Sequence, residues 1–264
     1  MLFAFISCAD ISHEAQTTDS HLLWIVNRHN PLDEHFKPHP LAEYQGVKLH
    51  AEALDAFLQM KEAMQAGGVG GLRLQSAYRS YDYQRAIFDQ RVKELMNKGM
   101  TKDEATYKAS QSIQRPGASE HQTGLALDVS INGILDQSFA ETDAGKWLDE
   151  NCHHFGFIIR YPQSKTEITK IIYEPWHLRY IGNPHAYIIK EMELTLEEYW
   201  CYIKSSDMYV AWGEGGNYTL VIYANEVPNG DGIIGISSSA QEKETEYIIT
   251  MKRTYPNIQM EEFK

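Results

Sequence analysis

The hydrophobic pattern changes period several times along the first 205 residues. Apolar and polar residues alternate from Leu72 to Arg79, which predicts a strand with Arg79 at its end. Directly afterwards, Ser80 opens a segment in which Phe88 and Leu95 recur at helical spacing up to Gly99. The pattern therefore predicts a strand followed at once by a helix.

The same reading predicts the other elements of this region. A capping-box sequence begins at Thr101, and Pro116-Gly117 follows the segment that it opens. The predicted elements are a strand at 22–26 and helices at 47–64, 101–112, 142–153 and 183–200.

After Ser205 the pattern changes to short β-like runs separated by glycine-rich and serine-rich segments. We therefore predict two domains, residues 1–205 and a β-rich appendage at 206–264, for which structural support is the favoured role. The predicted fold class is α+β, with a small antiparallel sheet flanked by helices and a C-terminal β appendage.

A candidate metal ligand lies in an alternating segment. Leu125, Leu127 and Val129 alternate with smaller or polar residues, one of which is Asp128, and this predicts a half-buried strand. Gly124 precedes the strand, where a tight turn would bring His121 back toward Asp128.

A second polar segment, Glu174-Pro175-Trp176-His177, follows the apolar run 171–173, which is predicted to be a strand. In a regular strand Glu174 and His177 would face opposite sides, so a bend at Pro175 is needed to turn both toward one site. The proline is equally compatible with simple strand termination.

These residues have the chemistry of a catalytic zinc site. Such a site uses three protein ligands and leaves a position for water, and His121, Asp128 and His177 supply three. Attack by the bound water on an amide also needs a base, for which Glu174 is the candidate.

The motifs S-x-H-x-x-G-x-A-x-D and E-P-W-H resemble the zinc D-alanyl-D-alanine peptidases of the vancomycin-resistance group: VanY-type carboxypeptidases, VanX-type dipeptidases and bifunctional VanXY-type enzymes. The resemblance extends over about 24–205 and includes Val26-Asn27-Arg28, Ser76–Ser80 and Gln84. It implies one zinc ion per chain held by His121, Asp128 and His177, with Glu174 as catalytic base. It also implies that Arg79 stabilises the transition state and that Ser119 and Gln84 bind substrate.

The residues themselves leave other interpretations open. A guanidinium such as that of Arg79 can neutralise a developing oxyanion, although a surface salt bridge is the usual role of an arginine. Tyr78 and Trp176 are candidates for the substrate-binding wall, but aromatic residues near a site more often serve packing.

Composition narrows the choice of partners. The chain has 264 residues, a net charge of −12 and a pI of about 5.4, which argues against nucleic acid and anionic membrane surfaces. The segment before Cys8 has no early basic residue, so we expect no secretory signal and a cytoplasmic location. Cys8, Cys152 and Cys201 suggest neither a disulfide framework nor a thiolate site.

The predicted activity is hydrolysis of the C-terminal D-Ala-D-Ala bond, both in the free dipeptide and in muramyl pentapeptide precursors. This bifunctional activity would confer vancomycin resistance. A peptidoglycan endopeptidase of the same fold and a non-catalytic zinc-binding module remain as alternatives, and the oligomeric state is left open.

Overall fold

The computed structural model describes residues 21–206, 208–212, 217–224, 233–238 and 247–254. The chain divides into two compact units, one formed by Ile25–Trp200 and the other by the described residues outside that range. The predicted boundary after residue 205 stays a prediction. No helix among these described residues is both long enough and apolar enough to span a bilayer.

The elements up to residue 206 mix strands and helices. In chain order they are β1 (Leu41–Tyr44), β2 (Val47–His50), α1 (Ala51–Ala66), β3 (Arg73–Ser76), α2 (Tyr81–Asn97), α3 (Lys102–Ala109), β4 (Ala126–Ser130), α4 (Asp143–Asn151), β5 (Phe157–Ile159), α5 (Thr166–Thr169), β6 (His177–Tyr180), α6 (His185–Glu191) and α7 (Leu196–Ser206).

The central sheet has the strand order β3-β4-β6-β5, and every pairing is antiparallel. Leu127 and Val129 are fully buried on one side of β4, and Ala126 and Ser130 are fully buried on the other. The prediction of a half-buried strand is therefore wrong, because neighbouring elements cover both faces. The α+β class with a small antiparallel sheet and flanking helices is confirmed.

The helix starts predicted from polar caps agree with the structure. The Ser80 hydroxyl accepts a hydrogen bond from the Tyr83 amide at the start of α2. Thr101 and Glu104 form a reciprocal capping box at the start of α3. These caps are local in sequence, which is why the pattern located them.

Several predicted elements were wrong. Residues 22–26 contain no strand, Val47–His50 form β2 rather than the first turn of a helix, and 171–173 are irregular. The strand expected to end at Arg79 ends at Ser76, and the helix expected at 183–200 is divided into α6 and α7. Glu193 lies at the break with φ of 51°, a left-handed conformation that no helix continues.

Among its described residues, the second unit contains four strands: β7 (Met208–Trp212), β8 (Asn217–Ala224), β9 (Ile233–Ser238) and β10 (Tyr247–Thr254). They form one antiparallel sheet in the order β7-β8-β10-β9. The predicted β-like character of this region is confirmed. Most of the segments predicted to separate the strands lie outside the described residues, but Asn217, Ser237 and Ser238, which were predicted to belong to them, are strand residues.

Candidate metal centre and catalytic site

The pairing of β4 with β6 brings two candidate ligands face to face. Asp128 lies directly opposite His177 in the register. The Asp128 Oδ1 atom is 2.9 Å from Nδ1 of His177, and both side chains are largely buried. The sheet thereby joins residues that are far apart in the chain.

His121 reaches the same carboxylate from a short 3-10 helix, Glu120–Thr123. This helix ends at Gly124, whose φ of +70° confirms the predicted tight turn. The Nδ1 atom of His121 lies 2.7 Å from the Ala77 carbonyl oxygen, to which it donates as an N–H. Its Nε2 atom lies 3.3 Å from Asp128 Oδ2 and is left to act as a ligand.

The arrangement fits a tetrahedral metal ion. One ligand atom from each of His121, Asp128 and His177 can be chosen so that all lie within 4.8 Å of one another. Zinc bonds of about 2.0–2.2 Å would separate ligands by about 3.3 Å in a tetrahedron. The Oδ2 atom of Asp128 lies 3.3 Å from His121 Nε2, which agrees with that spacing, and the other oxygen, Oδ1, lies 2.9 Å from His177 Nδ1.

The protonation states also suit a cation. Burial, reinforced by the charge of Arg79, lowers the pKa of His121 to about 4, so its imidazole is neutral at pH 7. Burial disfavours a charge on Asp128, but the two histidines outweigh it and lower the pKa of this carboxyl group. Burial likewise opposes protonation of His177, whereas Asp128 raises its pKa. Metal binding at such a site displaces the proton.

Glu174 lies beside the ligands without joining them. The turn 174–177 is closed by a hydrogen bond from the His177 amide to the Glu174 carbonyl, at 3.1 Å. This is the predicted bend at Pro175, and it turns Glu174 Oε2 to 3.9 Å from His177 Nδ1. Burial, with a contribution from the Asp128 charge, raises the pKa of Glu174. A carboxyl group with a raised pKa is better suited to take and return a proton than an exposed one.

Arg79 completes the charged wall of the site. Its Nη2 atom is 3.4 Å from Asp128 Oδ2, and its Nη1 donates to Gln84 Oε1 at 3.1 Å. The Gln84 amide nitrogen in turn donates to the Gln114 carbonyl at 2.7 Å. Arg79 is thus held in place and is not a surface salt bridge. Its buried Nε has no partner among the described residues.

The other predicted site residues have less specific positions. Gln84 is buried and contacts Arg79, while Ser119 is buried at the residue before the helix of His121. Trp176 is half-buried, and its carbonyl accepts from the Val129 amide at 3.0 Å. Tyr78 is half-buried, and its amide donates to the Lys48 carbonyl. Substrate contact by these four residues stays a prediction.

Sequence reasoning missed Tyr161, which follows β5. Its ring centroid lies 5.0 Å from that of His177, and its carbonyl accepts from the Glu174 amide at 3.1 Å. Burial raises the pKa of Tyr161 well above its usual value, so the phenol stays neutral. The local signal was Pro162, which directly follows Tyr161 and precedes the 3-10 helix Gln163–Lys165.

It also missed a group of four charged residues, here called the ion-pair cluster: Glu120, Arg160 and Arg179, which are buried, and Glu197, which is half-buried. Arg160 donates to Glu120 at 2.8 Å and to both oxygens of Glu197, at 2.6 and 2.9 Å. Arg179 lies 3.0 Å from Glu120. Burial opposes the charge on Arg160, but the two carboxylates raise its pKa well above its usual value.

Comparison with known proteins gives a family match over residues 46–183, more than half of the chain, to "VanY: D-alanyl-D-alanine carboxypeptidase". The chain is 41% identical to a putative carboxypeptidase, YodJ, of Bacillus subtilis, over 69% of this chain and 68% of the relative. It is 33% identical to the bifunctional D-Ala-D-Ala dipeptidase and carboxypeptidase VanXYC of Enterococcus gallinarum, over 69% and 94%.

Two solved structures are similar over most of their own length. One is a vancomycin resistance D,D-pentapeptidase VanY from a VanB-type cassette in complex with Zn(II), with 38% identity over 68% of this chain and 99% of that chain, and a TM-score of 0.60. The other is the LdcB LD-carboxypeptidase, with 37% identity over 72% and 92% and a TM-score of 0.61. The site residues described above thus belong to a chain that resembles peptidases both in sequence and in fold.

Proposed function

The chain belongs to the VanY family of D-alanyl-D-alanine carboxypeptidases, and from this premise we propose that it is a zinc enzyme that hydrolyses peptides ending in D-Ala-D-Ala. The observation that carries the proposal is one buried carboxylate, Asp128, approached by His121, His177 and Arg79, with Glu174 beside them. The Zn(II) bound by a similar VanY structure supports the choice of metal.

Zinc held by His121, Asp128 and His177 would supply a Lewis acid and lower the pKa of a bound water. Glu174 accepts the proton of the attacking water, because its buried carboxylate has a raised pKa and lies next to the ligands. The same carboxyl group then gives the proton to the nitrogen of the departing D-Ala. One residue thus serves both proton transfers.

Arg79 stabilises the negative charge that develops on the carbonyl oxygen of the scissile bond. Burial lowers its pKa, yet a guanidinium remains charged at pH 7. Gln84 fixes the direction of the guanidinium, so little reorganisation is needed when the charge develops. Ser119 binds the terminal carboxylate, as in the expectation from the sequence.

The finer proposal is a bifunctional enzyme that acts on the free dipeptide and on muramyl pentapeptide precursors in the cytoplasm. The likeness to VanXYC, a bifunctional dipeptidase and carboxypeptidase, supports it. Removing D-Ala-D-Ala ends removes the structure that vancomycin recognises, so the proposed role is resistance.

A second candidate is an L,D-carboxypeptidase, favoured by the 37% identity to LdcB. That activity removes the D-residue that follows an L-residue. The two candidates share their catalytic chemistry and differ in the residue accepted before the scissile bond. A wall endopeptidase and a non-catalytic zinc module are the remaining alternatives, and the presence of both Glu174 and Arg79 argues against the latter.

One assay separates these candidates. The zinc-loaded protein is incubated with D-Ala-D-Ala, the UDP-linked muramyl pentapeptide, the corresponding tetrapeptide, the two D-Ser-ended counterparts and purified sacculi, and released products are identified. Cleavage of the first two with little of the D-Ser forms supports the bifunctional proposal. Release of D-Ala from the tetrapeptide alone would favour the L,D-carboxypeptidase, and solubilised sacculi would favour the endopeptidase.

A further inference from the structure

A cavity of about 510 Å³ adjoins the catalytic site. Tyr161, one of its lining residues, contacts the ring of His177. Gln114, another, accepts the hydrogen bond from Gln84 that braces Arg79. The cavity is therefore one residue away from His177, through Tyr161, and is connected to Arg79 through Gln114 and Gln84.

The charges that line this cavity are mostly positive. Arg28, Arg115 and Lys170 are exposed lining residues. Among the described residues that line the cavity, the acidic one is Glu197, and both of its oxygens are bonded to Arg160. A cationic cavity is unexpected in a chain with a net charge of −12.

The contacts of Arg28 and Lys170 leave both able to bind a further anion. The Arg28 Nε donates to a ring nitrogen, Nε2 of His29, at 3.1 Å, and not to a carboxylate. Lys170 pairs with Glu167 at 3.2 Å, but that carboxylate is 96% exposed and such a pair contributes little. A ligand carboxylate held by two guanidinium groups would gain paired, charge-assisted hydrogen bonds.

We infer that this cavity binds a carboxylate of the peptide substrate through Arg28, Arg115 and Lys170. The inference rests on the proposed function, because it assumes that a peptide occupies the neighbouring catalytic site. The cavity is larger than one alanine residue, so it has room for either of two carboxylates: that of the terminal residue, which it would share with Ser119, or that of a residue upstream of D-Ala-D-Ala. In both cases the chemistry of recognition is the same.

Three pairs of acetylated peptides test the inference, each pair differing in one carboxylate or carboxamide. The first pair has a free or amidated C-terminus after D-Ala-D-Ala. The second pair has L-Glu or L-Gln directly before D-Ala-D-Ala. The third pair has D-Glu one residue further upstream, linked through its γ-carboxyl group, and its α-carboxyl group is free or amidated. Affinity is measured by calorimetry with the zinc-loaded Glu174→Gln protein, so binding is read without turnover.

For at least one pair we expect the acid to bind at least tenfold more tightly than the amide. Arg115→Gln and Arg28→Gln in the same background should reduce that ratio to less than threefold. Arg91→Gln, which removes an exposed arginine of α2 paired with Glu94, is the matched control and should leave the ratio unchanged. The pair that shows the preference identifies the carboxylate concerned.

Equal affinities within all three pairs would overturn the inference, as would an acid preference that survives in both cavity variants. Hydrolysis of the same peptides by the wild-type protein is measured separately. Absence of hydrolysis with an intact acid preference would contradict the proposed function and leave the cavity assignment standing. Normal hydrolysis without any acid preference would support the proposed function and contradict the cavity assignment.

Discussion

Two buried groups of charged residues share the same elements but have opposite electrostatic character. Glu120 of the ion-pair cluster directly precedes His121, and Arg179 of that cluster follows His177 by two positions on β6. In the ion-pair cluster two arginines balance two glutamates. At the metal centre, Asp128 and Glu174 carry two negative charges, Arg79 carries one positive charge, and His121 is neutral. The pKa of His177 is raised, and a metal ion that binds there displaces its proton, which leaves the protein groups with one surplus negative charge.

The difference shows why only one of these groups is suited to catalysis. The ion-pair cluster balances its two arginines with its two glutamates, so it can stabilise the packing of β5, β6 and α7 without surplus charge to attract a cation. The metal centre has surplus negative charge and unshared lone pairs, which a divalent cation can satisfy. Burial alone does not separate the two, since both lie largely out of solvent.

The largest expected effect is the loss of activity on replacing Glu174, the proposed catalytic base. Glu174→Gln keeps the shape of the side chain but removes its ability to accept a proton, so kcat should fall by about 10³- to 10⁴-fold. Zinc content, measured after dialysis, and the unfolding midpoint should be unchanged. A variant with full activity would contradict the assignment of Glu174 as base.

The ion-pair cluster should respond in stability instead. Arg160→Met leaves Glu197 without its bidentate partner and Glu120 with only Arg179, so the free energy of unfolding should fall by about 3–5 kcal/mol. Urea unfolding measures the loss. Below the unfolding transition, the folded variant should still bind zinc. A loss below 1 kcal/mol would mean that the cluster does not stabilise the fold.

Arg79 links the metal centre to the bracing amide of Gln84, and its replacement should affect the rate more than folding. Arg79→Lys keeps the charge but loses the geometry that reaches Asp128 and Gln84 together. We expect kcat to fall about 10²- to 10³-fold, as for loss of one oxyanion donor. Gln84→Ala is the companion variant: a smaller fall there would agree with a positioning role for Gln84, and no fall in either would contradict both assignments.

The sequence was informative about the metal centre because its chemistry is local. The glycine turn beside His121, the bend at Pro175 and the caps of α2 and α3 depend on nearby residues, and each was found. The ion-pair cluster was not found, because Arg160 meets its partners only after β5 and α7 pack. The strand at 22–26 was wrong for the same reason, since an apolar run does not specify its pairing.

Removing and restoring zinc is a reversible test of the difference between the metal centre and the ion-pair cluster, with a smaller expected effect. A chelator-treated protein should gain about 2.7 kcal/mol of unfolding free energy when free zinc is restored at 100 times its dissociation constant. The Asp128→Asn protein should gain much less, because the shared carboxylate is weakened. The Arg160→Met protein, although less stable, should show the same gain as wild type. Thermal unfolding with and without buffered zinc measures both differences.

The smallest expected effect concerns an ion pair that is neither buried nor part of either group. Lys165 Nζ lies 3.0 Å from Glu198, and their side chains are 24% and 28% exposed. Because solvent screens such a pair, Lys165→Met should change the free energy of unfolding by less than about 1 kcal/mol. The same urea titrations used for Arg160→Met give this value. Equal losses for Lys165→Met and Arg160→Met would mean that burial does not make the ion-pair cluster more stabilising than this pair. The loss in Arg160→Met would then come from the packing of the arginine stem.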